Sequence, residues 1–173
     1  MSKSLVLTGM MGVGKSTIGK KLASELTFNF VDIDSLIEKK EGCSIKLIFK
    51  KKGENYFRKL ENDITLSQLQ KNKSVIALGG GAFLNRNIRR EANKFCISFW
   101  LDLSNEEIIK RLRKSKKRPL LFKNNLVETI NKIYLERKKT YSEASFRIRC
   151  NSLKPEDIVN KIILFYEKSR NQV

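Results

Sequence analysis

Short apolar runs alternate along the chain with segments in which apolar residues recur every three or four positions. The runs have the length of buried strands, and the recurring spacing is typical of amphipathic helices. Apolar strands that alternate with helices predict a parallel sheet covered by helices on both faces. The predicted strands are "SLVLT" (4–8), "FNFVDI" (28–33), "SVIAL" (74–78), "FCISFWL" (95–101) and "FRIRC" (146–150).

Helices are predicted in most of the segments between these strands. Ser104 and Glu107 have the spacing of a capping box, and Pro155 suits the first turn of a terminal helix. The predicted helices are 15–25, a region 34–72 broken near Gly42 and Gly53, "NEEIIKRLRK" (105–114), "LVETINKIYLERKKTYSEA" (126–144) and "PEDIVNKIILFYEK" (155–168).

The length and the cysteines indicate one intracellular domain. A chain of 173 residues is long enough for a real core, so a single domain over residues 1–173 is expected. No stretch approaches the ~20 apolar residues of a membrane span, and the N-terminus leads directly into a motif rather than resembling a signal peptide. Three cysteines without a C-x-x-C pair indicate reduced thiols in a cytoplasmic protein.

Charge and the absence of histidine limit the possible functions. With no histidine, His-based zinc sites and Ser-His or Cys-His catalysis are excluded. The net charge of +18 is compatible with nucleic-acid binding, with an enzyme for anionic substrates, or with a lysine-rich solvated surface that arose by compositional drift. The basic residues are spread along the chain, and the densest run, "KRLRKSKKR" (110–118), carries no RNA-binding aromatic signature. We therefore favour drift.

The strongest motif lies between the first predicted strand and the first helix. "GMMGVGKST" (9–17) matches G-x-x-x-x-G-K-S, the P-loop pattern. In this pattern the backbone N–H groups surround phosphates at a helix N-terminus, Lys15 reaches the outer phosphates and the Ser16 hydroxyl ligates Mg²⁺. A dinucleotide-binding fingerprint would need a glycine where Thr17 stands. The motif therefore predicts binding of a nucleoside triphosphate.

Two carboxylates follow the second predicted strand. Asp32 and Asp34 stand at its carboxyl end, the edge of a parallel sheet that also carries the P-loop, and residues two apart in a strand share one face. One could hold Mg²⁺ and the other could accept a proton or hydrogen bond from a substrate hydroxyl, whereas a helix cap at Asp34 or Ser35 is the structural alternative. Gly79 stands where many P-loop proteins carry an acidic residue, which favours Asp32 as the metal ligand. Asp102 competes, but its place before the capping box favours a structural role.

Three consecutive glycines, residues 79–81 in "ALGGGAF", follow the third predicted strand. Glycine loses more backbone freedom on folding than any other residue. Three in a row therefore indicate either a tight turn or the close approach of a ligand to the main chain.

Three arginines lie in distinctive contexts: Arg58 in "GENYFRKLE", Arg118 in "KKRPLLF" and Arg137 in "YLERKKTY". Arginine is a rigid bidentate clamp for carboxylate or phosphate. Taken alone, each arginine would be interpreted as a solvated surface residue, because the chain has 36 Lys and Arg. Their positions relative to the other motifs are what suggest a role in binding.

Taken together, these segments resemble shikimate kinase in order and approximate spacing, over roughly residues 4–165. The P-loop is common to many families, whereas the combination of D-x-D, F-R-x-x-E, G-G-G and R-P-L-L is more selective. The segments that carry the resemblance are "GMMGVGKST", "DIDSLIEKKEG", "IFKKKGENYFRKLE", "ALGGGAF", "KRPLL" and "ERKKTYSEA".

The resemblance implies a three-layer α/β P-loop kinase fold, with a five-stranded parallel sheet flanked by helices. It also implies a substrate-binding helical region at about 34–61 and a mobile lid at about 112–125. The implied reaction is Mg²⁺-dependent transfer of the ATP γ-phosphoryl group to the 3-hydroxyl of shikimate, which gives shikimate 3-phosphate and ADP on the pathway to chorismate and the aromatic amino acids.

The resemblance implies roles at the nucleotide. Asp32, mainly through water, and Ser16 would hold Mg²⁺, while Lys15 and the lid residue Arg118 would meet the transferring phosphoryl group. Arg111 and Pro155 would enclose the adenine. The residues expected to bind ATP are Gly12, Val13, Gly14, Lys15, Ser16, Thr17, Arg111, Arg118 and Pro155.

The resemblance likewise implies roles at the acceptor. Asp34 would bind the ring hydroxyls and orient or deprotonate the nucleophile, and Arg58 and Arg137 would clamp the carboxylate. Glu61, three residues after Arg58 on a helix, would orient that arginine. The residues expected to bind shikimate are Asp34, Phe49, Phe57, Arg58, Gly79, Gly80, Gly81 and Arg137, with the two phenylalanines as apolar walls and the glycines donating N–H groups.

Two alternatives stay open. A gluconate-type or nucleoside monophosphate kinase would keep the P-loop without D-x-D and two clamping arginines, and a nucleic-acid-associated P-loop protein is suggested by charge alone. The lid segment "RKSKKRPLLFKNNL" is also richer in lysine than in many relatives, so Lys116 or Lys117 is a candidate for additional phosphate contacts. We expect a monomer that acts on ATP and shikimate, with no nucleic-acid or membrane partner.

Overall fold

The computed structural model describes residues 2–114 and 125–170, and within them five parallel strands form one sheet. The strands are β1 Ser4–Thr8, β2 Asn29–Asp32, β3 Ser74–Ala77, β4 Cys96–Asp102 and β5 Phe146–Arg149. Their order across the sheet is β2-β3-β1-β4-β5. Every residue of β1 and β3 is buried, because these inner strands are covered on both faces.

Seven α-helices flank the sheet in the described part of the chain. They are α1 Lys15–Leu26, α2 Ile33–Glu41, α3 Ile45–Leu69, α4 Arg86–Phe95, α5 Asn105–Lys114, α6 Leu126–Tyr141 and α7 Pro155–Arg170. A short 3₁₀ helix covers Ala82–Leu84. None of the described helices has both the length and the apolar character that a membrane crossing requires. The predicted α/β class with a five-stranded parallel sheet is confirmed.

The register of the sheet gathers three chain segments at one edge. Leu7 of β1 lies opposite Ala77 of β3, and Asp32 of β2 lies opposite the same alanine. The P-loop, the start of α2 and the triple glycine leave the sheet directly after these positions. Because parallel strands end together at one edge, the segments singled out in the sequence become neighbours.

Two local predictions are wrong. The second strand ends at Asp32 instead of residue 33, because Asp32 caps α2 by accepting a hydrogen bond from the N–H of Ser35 at 3.1 Å. Asp34 therefore lies in the first turn of a helix and not on a strand face. The capping box before α5 forms only in half: Ser104 Oγ accepts from the N–H of Glu107 at 3.5 Å, while Asn151 Oδ1 takes the N–H of Ser104.

Helix α4 was not predicted. Its signal is weak because just two of its ten residues, Ile88 and Ala92, are buried. Its start is nevertheless well marked, since the side chain of Asn85 accepts from the N–H groups of Asn87 and Ile88. By contrast, the predicted breaks at Gly42 and Gly53 are both present, with φ of 66° and 81°.

The predicted lid at 112–125 falls mostly outside the described residues. Leu112 and its two successors form the end of α5, and Asn125 caps α6. Arg118, Lys116 and Lys117 are not among the residues that the structure describes.

Candidate active site

The P-loop turns tightly between β1 and α1. Gly12 and Gly14 have φ of 79° and 101°, in the left-handed region that favours glycine, and Gly14 is the N-cap of α1. Lys15 and Ser16 occupy the first turn of that helix. The Lys15 ammonium donates to the carbonyl oxygens of Gly9 and Met10 at 2.8 and 3.0 Å, which places its charge beside the loop.

Ser16 and Asp32 are in direct contact. Ser16 Oγ donates to Asp32 Oδ2 at 2.5 Å, while Asp32 Oδ1 caps α2. A hydroxyl and a carboxylate oxygen are the hard ligands that Mg²⁺ uses when phosphates and water complete its shell. The described residues contain no group of three or more histidine, cysteine, aspartate or glutamate side chains suited to a metal.

A cavity of about 240 Å³ adjoins the P-loop. It extends from the turn at Gly12 past the Ser16–Asp32 pair to Asp34 and Gly80. A nucleotide phosphate at the P-loop and a hydroxyl beside Asp34 would therefore share one space.

The triple glycine is surrounded by the residues predicted to bind the acceptor. A Cβ placed on Gly79 would lie 2.6 Å from Asp34 Oδ1 and 2.9 Å from Glu61 Oε1, and one on Gly81 would lie 3.0 Å from Arg58 Nη1. None of the three glycines has a positive φ, so the turn itself does not require glycine. The close approach of charged side chains favours glycine at positions 79 and 81, whereas a Cβ on Gly80 would have ordinary contacts, the nearest at 3.6 Å.

Arg58 and Glu61 form an ion pair on α3, as their spacing predicts. Arg58 Nη1 lies 2.8 Å from Glu61 Oε2, and its Nε and Nη2 lie 3.2 Å from Glu54 Oε1. Burial raises the pKa of Glu61, and the ion pair with Arg58 offsets only part of that effect. Burial acts to lower the pKa of Arg58, but its two glutamates raise it overall.

Phe49 and Phe57 pack together on α3, with ring centroids 4.7 Å apart. Phe57 is buried and Phe49 is half-buried. The Arg58 guanidinium lies 5.2 Å from the centroid of the Phe57 ring. The two rings therefore form an apolar surface next to the arginine, where the sequence predicts a wall for the substrate ring.

Helix α6 brings two donors to the triple glycine. Arg137 Nη1 donates to the carbonyl oxygen of Gly80 at 2.9 Å, and the Tyr141 hydroxyl donates to the same oxygen. Burial raises the pKa of Tyr141, although Arg137 acts in the opposite direction. Tyr141 was not predicted from the sequence, and the available signal was its place one helical turn after Arg137.

Arg111 lies beside the P-loop, where its Nη1 donates to the carbonyl oxygen of Val13 at 3.1 Å. It also lines a cavity of about 410 Å³ whose apolar residues are Leu103 and Leu153. Pro155 begins α7 and is exposed. Neither leucine was singled out from the sequence; Leu103 is buried and Leu153 is half-buried.

Asp102 has the structural role expected for it. Its Oδ2 accepts from Arg147 Nε and Nη2 at 2.9 and 2.6 Å, and its Oδ1 accepts from the Tyr134 hydroxyl at 3.3 Å. These bonds tie the end of β4 to β5 and α6.

Comparison with known proteins gives a consistent result. Residues 11–167 match the model of the family described as SKI: Shikimate kinase. The chain is 42% identical over 161 residues to the shikimate kinase of a Sulfurihydrogenibium species, which covers 93% of this chain and 96% of the relative. A solved shikimate kinase from Acinetobacter baumannii in complex with shikimate superimposes with a TM-score of 0.91 at 30% identity, over 98% of this chain and 95% of the other. The enzyme from Bacteroides thetaiotaomicron gives 0.90 at 28% identity, over 95% and 98%.

Proposed function

The chain belongs to the shikimate kinase family, and we propose a role for each of its site residues in the reaction. The reaction is the transfer of the ATP γ-phosphoryl group to the 3-hydroxyl of shikimate, which gives shikimate 3-phosphate and ADP. The observation that carries the proposal is the convergence of Asp34, Glu61, Arg58 and Arg137 on the triple glycine, beside the P-loop.

ATP binds with its phosphates on the P-loop. The N–H groups of the loop and of the first turn of α1 donate hydrogen bonds to the phosphate oxygens, and Lys15 turns from the carbonyl oxygens of Gly9 and Met10 towards the outer phosphates. Ser16 and Asp32 would hold Mg²⁺, which would neutralise charge on the phosphates. Arg118, outside the described residues, is proposed to reach the transferring group.

Asp34 orients the acceptor hydroxyl. It lines the cavity that begins at the P-loop, and its Oδ1 lies near Gly79. A carboxylate at this position can accept the hydrogen of the 3-hydroxyl while an oxygen lone pair faces the γ-phosphorus. Asp34 is thus placed both to position the 3-hydroxyl and to take its proton, and because the transition state of phosphoryl transfer is loose, the size of the effect on kcat distinguishes the two roles.

Arg58 and Arg137 recognise the carboxylate of the acceptor. They approach the triple glycine from different helices: Arg58 lies near Gly81, and Arg137 is bonded to the Gly80 carbonyl. Two guanidinium groups favour a planar anion, and the Phe49–Phe57 surface favours a compact ring beside it. This arrangement supports shikimate over an uncharged sugar. Gluconate also carries a carboxylate, so it is the competing acceptor that the assay must compare with shikimate.

The acceptor assay tests the proposed function directly. We expect ADP release that depends on both Mg²⁺ and shikimate, with one phosphate transferred per ring. Gluconate and nucleoside monophosphates serve as competing acceptors in the same coupled assay. ADP release with shikimate that does not exceed the background ATPase rate would show that the assignment is wrong.

Arg58→Ala and Arg137→Ala are expected to weaken shikimate binding by roughly 1.5–3 kcal/mol each, the scale of a charge-assisted hydrogen bond. ATP binding changes little, because the phosphates lie on the P-loop. Isothermal titration with each ligand separately measures both effects. Arg90→Ala is the matched control, because Arg90 is exposed and pairs with its neighbour Glu91 on α4. Equal losses for ATP and shikimate would contradict the clamp.

We also propose that the protein works as a cytoplasmic monomer. Its cysteines are free thiols, which suits a reducing compartment. Burial raises the pKa of Cys96 and of Cys150 to about 12, so these two thiols are unreactive parts of the core.

A further inference from the structure

The Tyr141 hydroxyl is placed to hold one peptide of the triple glycine. Tyr141 is the last residue of α6 and is fully buried. Its hydroxyl and Arg137 Nη1, one helical turn apart, donate to the same carbonyl oxygen of Gly80 at 2.5 and 2.9 Å. A single acceptor thus receives two donors from one helix.

Holding the carbonyl oxygen of Gly80 also fixes the direction of the Gly81 N–H, which is a hydrogen-bond donor. The carbonyl of Gly80 and the N–H of Gly81 belong to one planar peptide unit and point in opposite directions. Among the main-chain hydrogen bonds that connect the described turns and loops, none has the N–H of Gly80 or of Gly81 as its donor. Glycine peptides have unusual freedom to rotate, so without an anchor the direction of this N–H would vary.

The anchor itself is tied to the sheet. The Tyr141 ring packs on Trp100 of β4, with centroids 6.0 Å apart, and Trp100 is also buried. The position of the hydroxyl is therefore set by the core and not by the glycine loop. Burial raises the pKa of Tyr141 above its usual value near 10, so the hydroxyl stays protonated and remains a donor at neutral pH.

We infer that Tyr141 is a positioning residue for the acceptor site: it holds the Gly80–Gly81 peptide so that the Gly81 N–H and Arg137 both point correctly at shikimate. Tyr141 acts through this peptide and not by contact with the substrate. The inference rests on the proposed function and adds a residue to it.

Tyr141→Phe is the test, because it keeps the ring on Trp100 and removes only the hydroxyl. We expect the KM for shikimate to rise roughly 3- to 10-fold, the effect of one lost hydrogen bond. The KM for ATP and kcat should stay within about 2-fold, because the P-loop is untouched. Titration with shikimate alone should show the same loss in affinity, independent of turnover.

Tyr166→Phe is the matched control. Tyr166 on α7 is also buried, and its hydroxyl donates to the carbonyl oxygen of Lys3 at 3.4 Å, at the other end of the fold from the triple glycine. Both variants lose one buried hydroxyl, so a general loss of stability affects them alike and the melting temperature reports it. Only Tyr141→Phe should raise the KM for shikimate while leaving the KM for ATP nearly unchanged.

Two kinds of failure can be told apart. If the unmodified protein and Tyr166→Phe show no shikimate-dependent ADP release, the proposed function is wrong. If they are active and Tyr141→Phe has an unchanged KM for shikimate, or raises both KM values equally, the positioning role is overturned.

Discussion

Asp34→Asn is expected to lower kcat by roughly 10²–10⁴, the range for loss of a general base, while the affinity for Mg-ATP stays close to normal. Asparagine keeps the size of the side chain and some of its hydrogen bonding, but it cannot take a proton. The carboxylate lies in the cavity that starts at the P-loop, next to Gly79, so the substitution acts where the acceptor hydroxyl meets the γ-phosphate. Steady-state kinetics at saturating ATP and shikimate measure the effect.

The size of that loss separates two roles for Asp34. Because the transition state is loose, a fall well short of 10²-fold would indicate positioning rather than base catalysis. Asp32→Asn provides a comparison within the site, since it should raise the Mg²⁺ requirement instead. Asp63→Asn, at an exposed position of α3, is the surface control. Near-normal kcat together with a near-normal KM for shikimate in Asp34→Asn would remove Asp34 from the site.

The sequence predicted the inner strands β1 and β3 well because they are buried along their whole length and are mostly apolar. β1 is found at the predicted residues, whereas the order of the strands across the sheet is known only from the structure. Helix α4 was missed for the opposite reason, since most of its residues are polar and its buried face is narrow. Its cap at Asn85 was the better signal, because a cap depends on one side chain and not on periodicity.

The candidate site was predicted as a set of residues but not as a geometry. Asp34 was expected on a strand face, and it faces the cavity from the first turn of α2 because Asp32 ends the strand and caps the helix. Spacing places Tyr141 one helical turn after Arg137, but it does not show that the hydroxyl bonds a carbonyl oxygen 61 residues away in sequence. Contacts of this kind depend on how α6 packs against the triple glycine, which a periodic pattern does not encode.

Gly79→Ala is expected to lower kcat/KM for shikimate by about 100-fold or more while leaving the fold largely intact. The added methyl group would stand 2.6 Å from Asp34 Oδ1 and 2.9 Å from Glu61 Oε1. Ordinary contact needs about 3.5 Å, so the Asp34 carboxylate must move by roughly 1 Å and that of Glu61 by roughly 0.6 Å. Their side-chain ends can do so at little cost in stability. A displacement of about 1 Å at a reacting group can nevertheless cost on the order of 100-fold in rate.

Gly42→Ala supplies the converse control for this prediction. Gly42 ends α2 with φ of 66°, and a Cβ there would meet no atom within 4 Å. Alanine in that left-handed conformation costs about 1–2 kcal/mol in stability, with no carboxylate displaced. Thermal unfolding and steady-state kinetics of both variants should therefore diverge: Gly42→Ala loses melting temperature and keeps its KM for shikimate, whereas Gly79→Ala keeps most of its melting temperature and loses activity. If Gly79→Ala instead retains full activity, Asp34 and Glu61 do not need their observed positions, and the reaction does not require glycine at position 79.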